Sequence, residues 1–175
     1  MKIGDVSFDS IPLFSELPPT AQDKIKSIFE VRSMDAGKNL ITEGDEGDEM
    51  FILIKGRVRI TKSMLMQGMD LPILEVDNAR KVLATMDEHD YPIFGEIALI
   101  DRETRSATIQ VLDPAHFLVT NRAKFFELIE REPAIGNTLL MALTKRMAAT
   151  IRKSNQELIK LSTALALALS KTKMG

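Results

Sequence analysis

Met50-Phe51-Ile52-Leu53-Ile54-Lys55-Gly56-Arg57-Val58-Arg59-Ile60 is the stretch whose reading decides the fold. Five consecutive apolar residues have the length and character of a strand covered on both faces. Val58 and Ile60, alternating with Arg57 and Arg59, carry the period of two expected of a strand with one wet face. Lys55-Gly56 between them predicts the turn of a hairpin. Outward from this stretch, between Val31 and about Thr120, brief apolar runs are separated by Ala36-Gly37, Gly44, Gly47, Gly56, Asp77-Asn78 and Asp113-Pro114. That texture predicts an antiparallel β-domain. Ile73 to Val76 and Lys81 to Thr85 flank Asp77-Asn78 as a second hairpin. Ser63 to Asp70, with three methionines and no regular period, reads as a loop.

Helices flank the strands. Thr20-Ala21-Gln22-Asp23 is a candidate cap for a short helix carrying Ile25, Ile28 and Phe29. After Asn121 the pattern turns helical, first Lys124 to Glu132, then a stretch from about Ala134 to Lys171 with no proline and one glycine. The expected architecture is mainly β: an antiparallel β-roll, of double-stranded β-helix or jelly-roll type, with an N-terminal helix and a long C-terminal helix. Residues 1–133 form the roll with its short helices, and residues 134–175 form the long lid or dimerisation helix and tail. No internal repeat is visible.

The chain has 175 residues, enough for one domain with a core. It is 45% hydrophobic and 27% charged, the usage of a globular chain. A net charge of -2 supplies no basic field for counterion-driven binding to nucleic acid, which is therefore not an expected partner. The absence of cysteine excludes disulfides, thiolate metal sites and cysteine nucleophiles, and agrees with a cytoplasmic location. Asp5, Asp9 and three prolines interrupt the first twenty residues, so no signal peptide or membrane span is expected there.

The segment richest in chemistry is Phe94 to Thr108, Phe-Gly-Glu-Ile-Ala-Leu-Ile-Asp-Arg-Glu-Thr-Arg-Ser-Ala-Thr. A glycine at a strand end opens a short apolar helical turn, Ile97 to Ile100, whose first amides lack intrahelical acceptors and attract an anion. Arg105 follows nine residues after Glu96, at the start of the next strand-like run. Its guanidinium and the amides would converge on one phosphate, leaving Glu96 to accept from a hydroxyl. Taken singly, Glu96 reads as a solvated acid and Arg105 as a surface ion-pair partner; their joint spacing points to a ligand.

This segment resembles the phosphate-binding cassette of cyclic nucleotide-binding domains, the family of catabolite activator proteins and of protein kinase A regulatory subunits. The resemblance extends to Glu43-Gly44-Asp45-Glu46-Gly47-Asp48, to the strand Phe51 to Ile54 with Gly56 and Val58, and to Phe14-Ser15-Glu16-Leu17. It implies that Glu96 holds the ribose 2′-hydroxyl and Arg105 the cyclic phosphate, with Phe94, Gly95, Ile97, Ala98, Ser106 and Ala107 lining the pocket. Thr104 stands where the family commonly has proline, which predicts a looser turn. The approach from Asp87 to Ile93 also departs from the family's usual glycine-containing form. Gly44 and Gly47 read as positive-φ turn residues.

An enzyme of cupin type would need a cluster of histidines and carboxylates, and His89 and His116 are the only histidines. No nucleophile motif appears. The chain is expected to be neither an enzyme nor a metal protein. The residues after Lys160 are too few for a helix-turn-helix module, so a DNA-binding output is not expected.

Along the long helix, Leu140, Leu143, Met147, Thr150 or Ile151, Ser154, Leu158, Leu161, Leu165 and Ala168 form an apolar seam at helical spacing. It predicts pairing with a second copy. In the catabolite activator group this helix closes over the nucleotide, and the resemblance of Leu143 to Met147 to its start places Ser154 and Asn155 as base contacts. The expected ligand is cAMP, with cGMP as the alternative, for Ser106 serves either. The overall expectation is a homodimeric cyclic nucleotide sensor with an unknown output protein. The competing readings are a same-fold sensor for another small ligand and a structural dimerisation module.

Overall fold

The computed structural model of the chain describes residues 1–63 and 80–172. Four 3-10 turns, Ile3–Asp5, Phe8–Ser10, Pro12–Phe14 and Pro19–Ala21, lead into α1, Gln22–Ile28. The strands are β1, Glu30–Met34; β2, Asn39–Ile41; β3, Glu49–Ser63; β4, Arg80–Asp87; β5, Ile93–Phe94; and β6, Thr108–Asn121. A short helix, α2, Glu96–Asp101, sits between β5 and β6, and α3, Arg122–Arg131, and α4, Pro133–Thr172, close the chain. The sheet order is β1-β6-β3-β4, with β2 on β6 and β5 on β3, every pair antiparallel. This is the β-roll with an N-terminal helix and a long C-terminal helix expected from the sequence.

The continuous apolar run of β3 exists because both its faces are covered. Phe51 and Leu53 point into the roll with Val58, Phe94, Ile109, Val111, Phe117 and Val119. Met50 and Ile52 point the other way, into a layer with Leu118, Leu99, Ile25 and Ile28 and the α3 and α4 residues Phe125, Leu128, Ile135, Leu139 and Leu143. Leu53 is fully buried, and truncating such a residue to alanine costs about 2–5 kcal/mol. The N-terminal turns complete the second layer, with Phe14 5.3 Å from Phe8 and 5.5 Å from Phe29 between ring centroids.

Residues 50–60 do not form the expected hairpin. They lie in one strand, β3, whose register with β6 slips around Gly56: Leu53 faces Phe117, Lys55 faces His116, Arg57 faces Asp113 and Val58 faces Val111. Gly56 has φ +102°, and a Cβ there would meet Ala115 Cα at 2.8 Å. It is a bulge glycine at a bend shared with Asp113-Pro114, which lies inside β6 rather than between strands. The amide of Gly56 donates to Glu88 Oε2 at 2.9 Å, so the 3-10 turn Glu88–Asp90 braces the bend.

Thr20 does not cap α1: Ala21 occupies the cap position with no side-chain bond, and the Pro19–Ala21 turn runs directly into the helix. Lys81 to Thr85 lie in β4, paired with β3. The other expected arm, Ile73 to Val76, and the methionine-rich loop after Ser63 lie outside the described residues. α4 is 40 residues long, about 60 Å at 1.5 Å per residue. Ile135, Leu139 and Leu143 bury its first turns, whereas residues 149–170 are all exposed. None of the helices is long and apolar enough to cross a membrane among the described residues.

Candidate functional site

All eight cassette residues, Phe94, Gly95, Glu96, Ile97, Ala98, Arg105, Ser106 and Ala107, line one cavity of about 200 Å³. The chain enters it on the two-residue strand β5, which pairs with β3 through Phe51 and Phe94. Gly95, at φ +79°, then turns it into α2. Gly95 O accepts from Leu99 N at 3.0 Å, so the amides of Glu96, Ile97 and Ala98 precede the first intrahelical bond. The far end of α2 is tied down by Arg122, whose Nη1 donates to Leu99 O and, at 2.8 Å, to Ile100 O. The Arg122 guanidinium also stacks 4.3 Å from the centroid of Phe126.

Arg105 is only 7% exposed. Its Nη1 donates to Glu49 O at 2.9 Å and to Gly95 O at 3.4 Å, and its guanidinium lies 5.9 Å from the Phe51 centroid. Burial pulls its pKa down while Glu49, Asp48 and Glu96 pull it back up. It stays a cation. Its backbone is clamped on both sides by the turn at Gly44: Arg105 N donates to Asp45 O, and Gly44 N to Arg105 O, each at 2.9 Å. Thr104 therefore precedes a backbone that is fixed without a proline. Lys62 Nζ donates to Ser106 O at 2.7 Å and fixes the next residue.

Burial pushes the Glu96 carboxyl above the usual carboxylate range, with its own backbone amide, Arg146 and Arg105 opposing. Glu49 goes the other way, lowered by a two-pronged bond from Arg32, whose Nη1 and Nη2 donate to its two oxygens at 2.9 and 2.7 Å. That pairing keeps the Glu49 side chain off Arg105 and leaves its carbonyl as the Arg105 acceptor.

Gly44 has the expected positive φ, and Gly47 does not. Gly47 is instead a close-approach glycine: a Cβ there would stand 2.7 Å from Arg105 Nη2 and 2.9 Å from Nε. Sequence reasoning also missed Ile41, Ile60, Met86, Ile93 and Ile109, the apolar wall of the cavity, and Arg146 and Thr150, which line it from α4. Arg146 stands three residues after the buried Leu143 and Thr150 four further on, the spacing of one helix face, and this was the available signal. Ser154 and Asn155 lie on the exposed part of α4, a turn past Thr150 and outside the lining. The two histidines have partners elsewhere, His116 Nδ1 with Ser33 Oγ at 2.7 Å and His89 Nδ1 with Asp87 at 2.8 Å.

The sequence profile of the cyclic nucleotide-binding domain matches residues 31–132, more than half of the chain. Human cGMP-dependent protein kinase 2 is 38% identical over 100 residues, covering 57% of this chain and 12% of the kinase. The cyclic AMP receptor protein of Thermus thermophilus is 28% identical over 136 residues, 78% of this chain and 57% of the receptor. The crystal structure of the Thermus thermophilus catabolite activator protein superposes with a TM-score of 0.70 at 27% identity, over 86% of this chain and 63% of that one. The chain thus spans only part of the relatives it matches, and residues 31–132 supply the cavity lining apart from Arg146 and Thr150. With the roll, the cassette helix and the buried arginine arranged as described, the chain belongs to the cyclic nucleotide-binding domain family.

Proposed function

We propose that the chain is a non-enzymatic sensor that binds a cyclic purine nucleotide, cAMP or cGMP, in the cavity between β5, α2 and α4. The observation that carries this reading is the convergence of Arg105, Glu96 and the first amides of α2 on one cavity with an apolar wall. Arg105 spends Nη1 on backbone carbonyls, so Nε and Nη2 remain for an anion. The cyclic phosphate, a monoanion, takes these donors and the α2 amides. Glu96 accepts from the ribose 2′-hydroxyl, and Ile60 and Met86 cover the purine. The relatives' names support both ligands, one carrying cGMP and one cyclic AMP.

Output runs through α4. Its first turns are packed on the body, its middle lines the cavity, and its remainder exposes Leu158, Leu161, Leu165 and Leu169, each more than half accessible. We assign this exposed stripe to a second copy of the chain. A ligand shifts α4 only through contacts that differ between its open and closed positions, and Ser154 and Asn155 join the site when α4 folds toward the cavity. Calorimetric titration with cAMP, cGMP and the linear 5′-monophosphates tests the reading. Saturable binding of a cyclic nucleotide, stronger than that of its linear counterpart and weakened about tenfold or more in Arg105→Ala, is expected. Arg105→Lys should not restore it, because an ammonium lacks the planar fork. Wild-type affinity in folded Arg105→Ala would contradict the assignment.

A further inference from the structure

Arg146 lines the cavity from α4, yet among the described residues its guanidinium makes no hydrogen bond and no ion pair within 4 Å. Glu96 and Asp90 act on it at longer range. A partly buried cation with five donors and no acceptor is a group that a ligand can satisfy. Its position tells which part of a ligand it meets. Glu96 marks the ribose 2′-hydroxyl, on the sugar carbon next to the one that bears the base. That carbon also adjoins the one that carries the cyclic phosphate, but Arg105 takes the phosphate, which leaves the base for the unpaired cation on α4. Ile60 and Met86, which also line the cavity, are apolar and offer no hydrogen bond to a base edge.

We propose that Arg146 reads the purine edge and makes the site prefer a cyclic nucleotide with a 6-oxopurine, cGMP or cIMP, over cAMP. Guanine and hypoxanthine present two acceptors, N7 and O6, matched to a guanidinium fork, whereas adenine presents N7 beside an amino group, a donor facing donors. Thr150, the other α4 residue in the lining, gives its hydroxyl proton to Arg146 O at 3.2 Å and is left as an acceptor for an adenine amino group. That neutral contact is about half as strong as a charge-assisted one, so the arginine dominates. Burial lowers the Arg146 pKa but leaves it charged, and a desolvated cation gains most from an acceptor. The inference rests on the proposed cyclic nucleotide site.

The test is calorimetry of the full chain with cGMP, cIMP and cAMP, on wild type, Arg146→Met and Arg146→Lys. In wild type, cGMP and cIMP should each bind about tenfold or more tighter than cAMP. Arg146→Met should bring all three within about threefold by weakening the first two, and Arg146→Lys, charged but without the fork, should lose most of the discrimination. The wild-type comparison stands even if a variant misfolds. Binding of cAMP equal to or tighter than cGMP overturns the inference, as does unchanged discrimination in Arg146→Met. Tight cGMP with weak cIMP would transfer selection to the guanine amino group and also overturn it. If none of the three binds folded wild type at millimolar concentration, the cyclic nucleotide reading fails and this inference with it.

Discussion

Gly47→Ala is the sharpest perturbation of the phosphate site, because it moves one guanidinium and little else. A Cβ at residue 47 would stand 2.7 Å from Arg105 Nη2, and ordinary contact begins at 3.4 Å, so the guanidinium must retreat by about 0.7 Å. Gly47 has no positive φ, and the atoms it would meet are the end of a flexible side chain, so the fold should tolerate the change. A phosphate contact of about 2.8 Å lengthened by that amount reaches the limit of a hydrogen bond, which removes about 1.5 kcal/mol, or roughly tenfold in affinity. Gly56→Ala is the control. It places alanine at φ +102° with Ala115 Cα at 2.8 Å, which costs about 1–3 kcal/mol of stability, and the nearest atoms it meets belong to Ala115 and Pro114 rather than to Arg105. At about 2–4 °C per kcal/mol for a chain of this size, thermal unfolding separates the two. Calorimetric titration should show weak binding and a near-native Tm in Gly47→Ala, and the reverse pairing in Gly56→Ala. Native affinity in Gly47→Ala would refute the placement of Arg105 against the ligand.

Three further outcomes are expected. Because burial holds the native Glu96 carboxyl above its unfolded pKa, the native state binds more protons between the two values, and this residue's contribution to stability falls as pH rises from about 4.3. Calorimetric melting of the ligand-free Glu96→Gln variant should therefore exceed wild type at neutral pH and converge with it toward pH 4; equal Tm values at pH 7 would count against the buried charge. Leu158→Glu with Leu161→Glu, both on the exposed stripe, should convert a dimer to monomers in sedimentation, and a monomeric wild type would remove the proposed pairing. Arg122→Met keeps a side chain against Phe126 but deprives the Leu99 and Ile100 carbonyls of their donor, so affinity should fall several-fold, with faster hydrogen exchange confined to α2.

What the sequence disclosed and what it hid follow from distance along the chain. Glu96 and Arg105 were legible because nine residues separate them, and one short helix between two strands carries both into one cavity. The apolar wall was not, because Ile60, Met86 and Ile109 come from three strands whose pairing no local pattern specifies. Arg146 was hidden similarly: its helix face was readable, but not which face of the roll α4 crosses. Gly56 misled because a bulge glycine and a turn glycine look alike in sequence, and Gly47 because a missing Cβ leaves room for a side chain 58 residues away as readily as it permits a positive φ. The 3-10 turns before α1 lack the helical period, so only the structure reveals that Phe8 and Phe14 complete the core.

A crystal structure of the chain with a bound cyclic nucleotide decides whether the cavity between β5, α2 and α4 is the nucleotide site. A phosphate oxygen is expected at hydrogen-bonding distance, about 2.7–3.2 Å, from Arg105 Nε or Nη2, with a second at the first amides of α2 and the ribose 2′-hydroxyl on Glu96. A nucleotide bound elsewhere, or bound in this cavity with its phosphate away from Arg105, would contradict it.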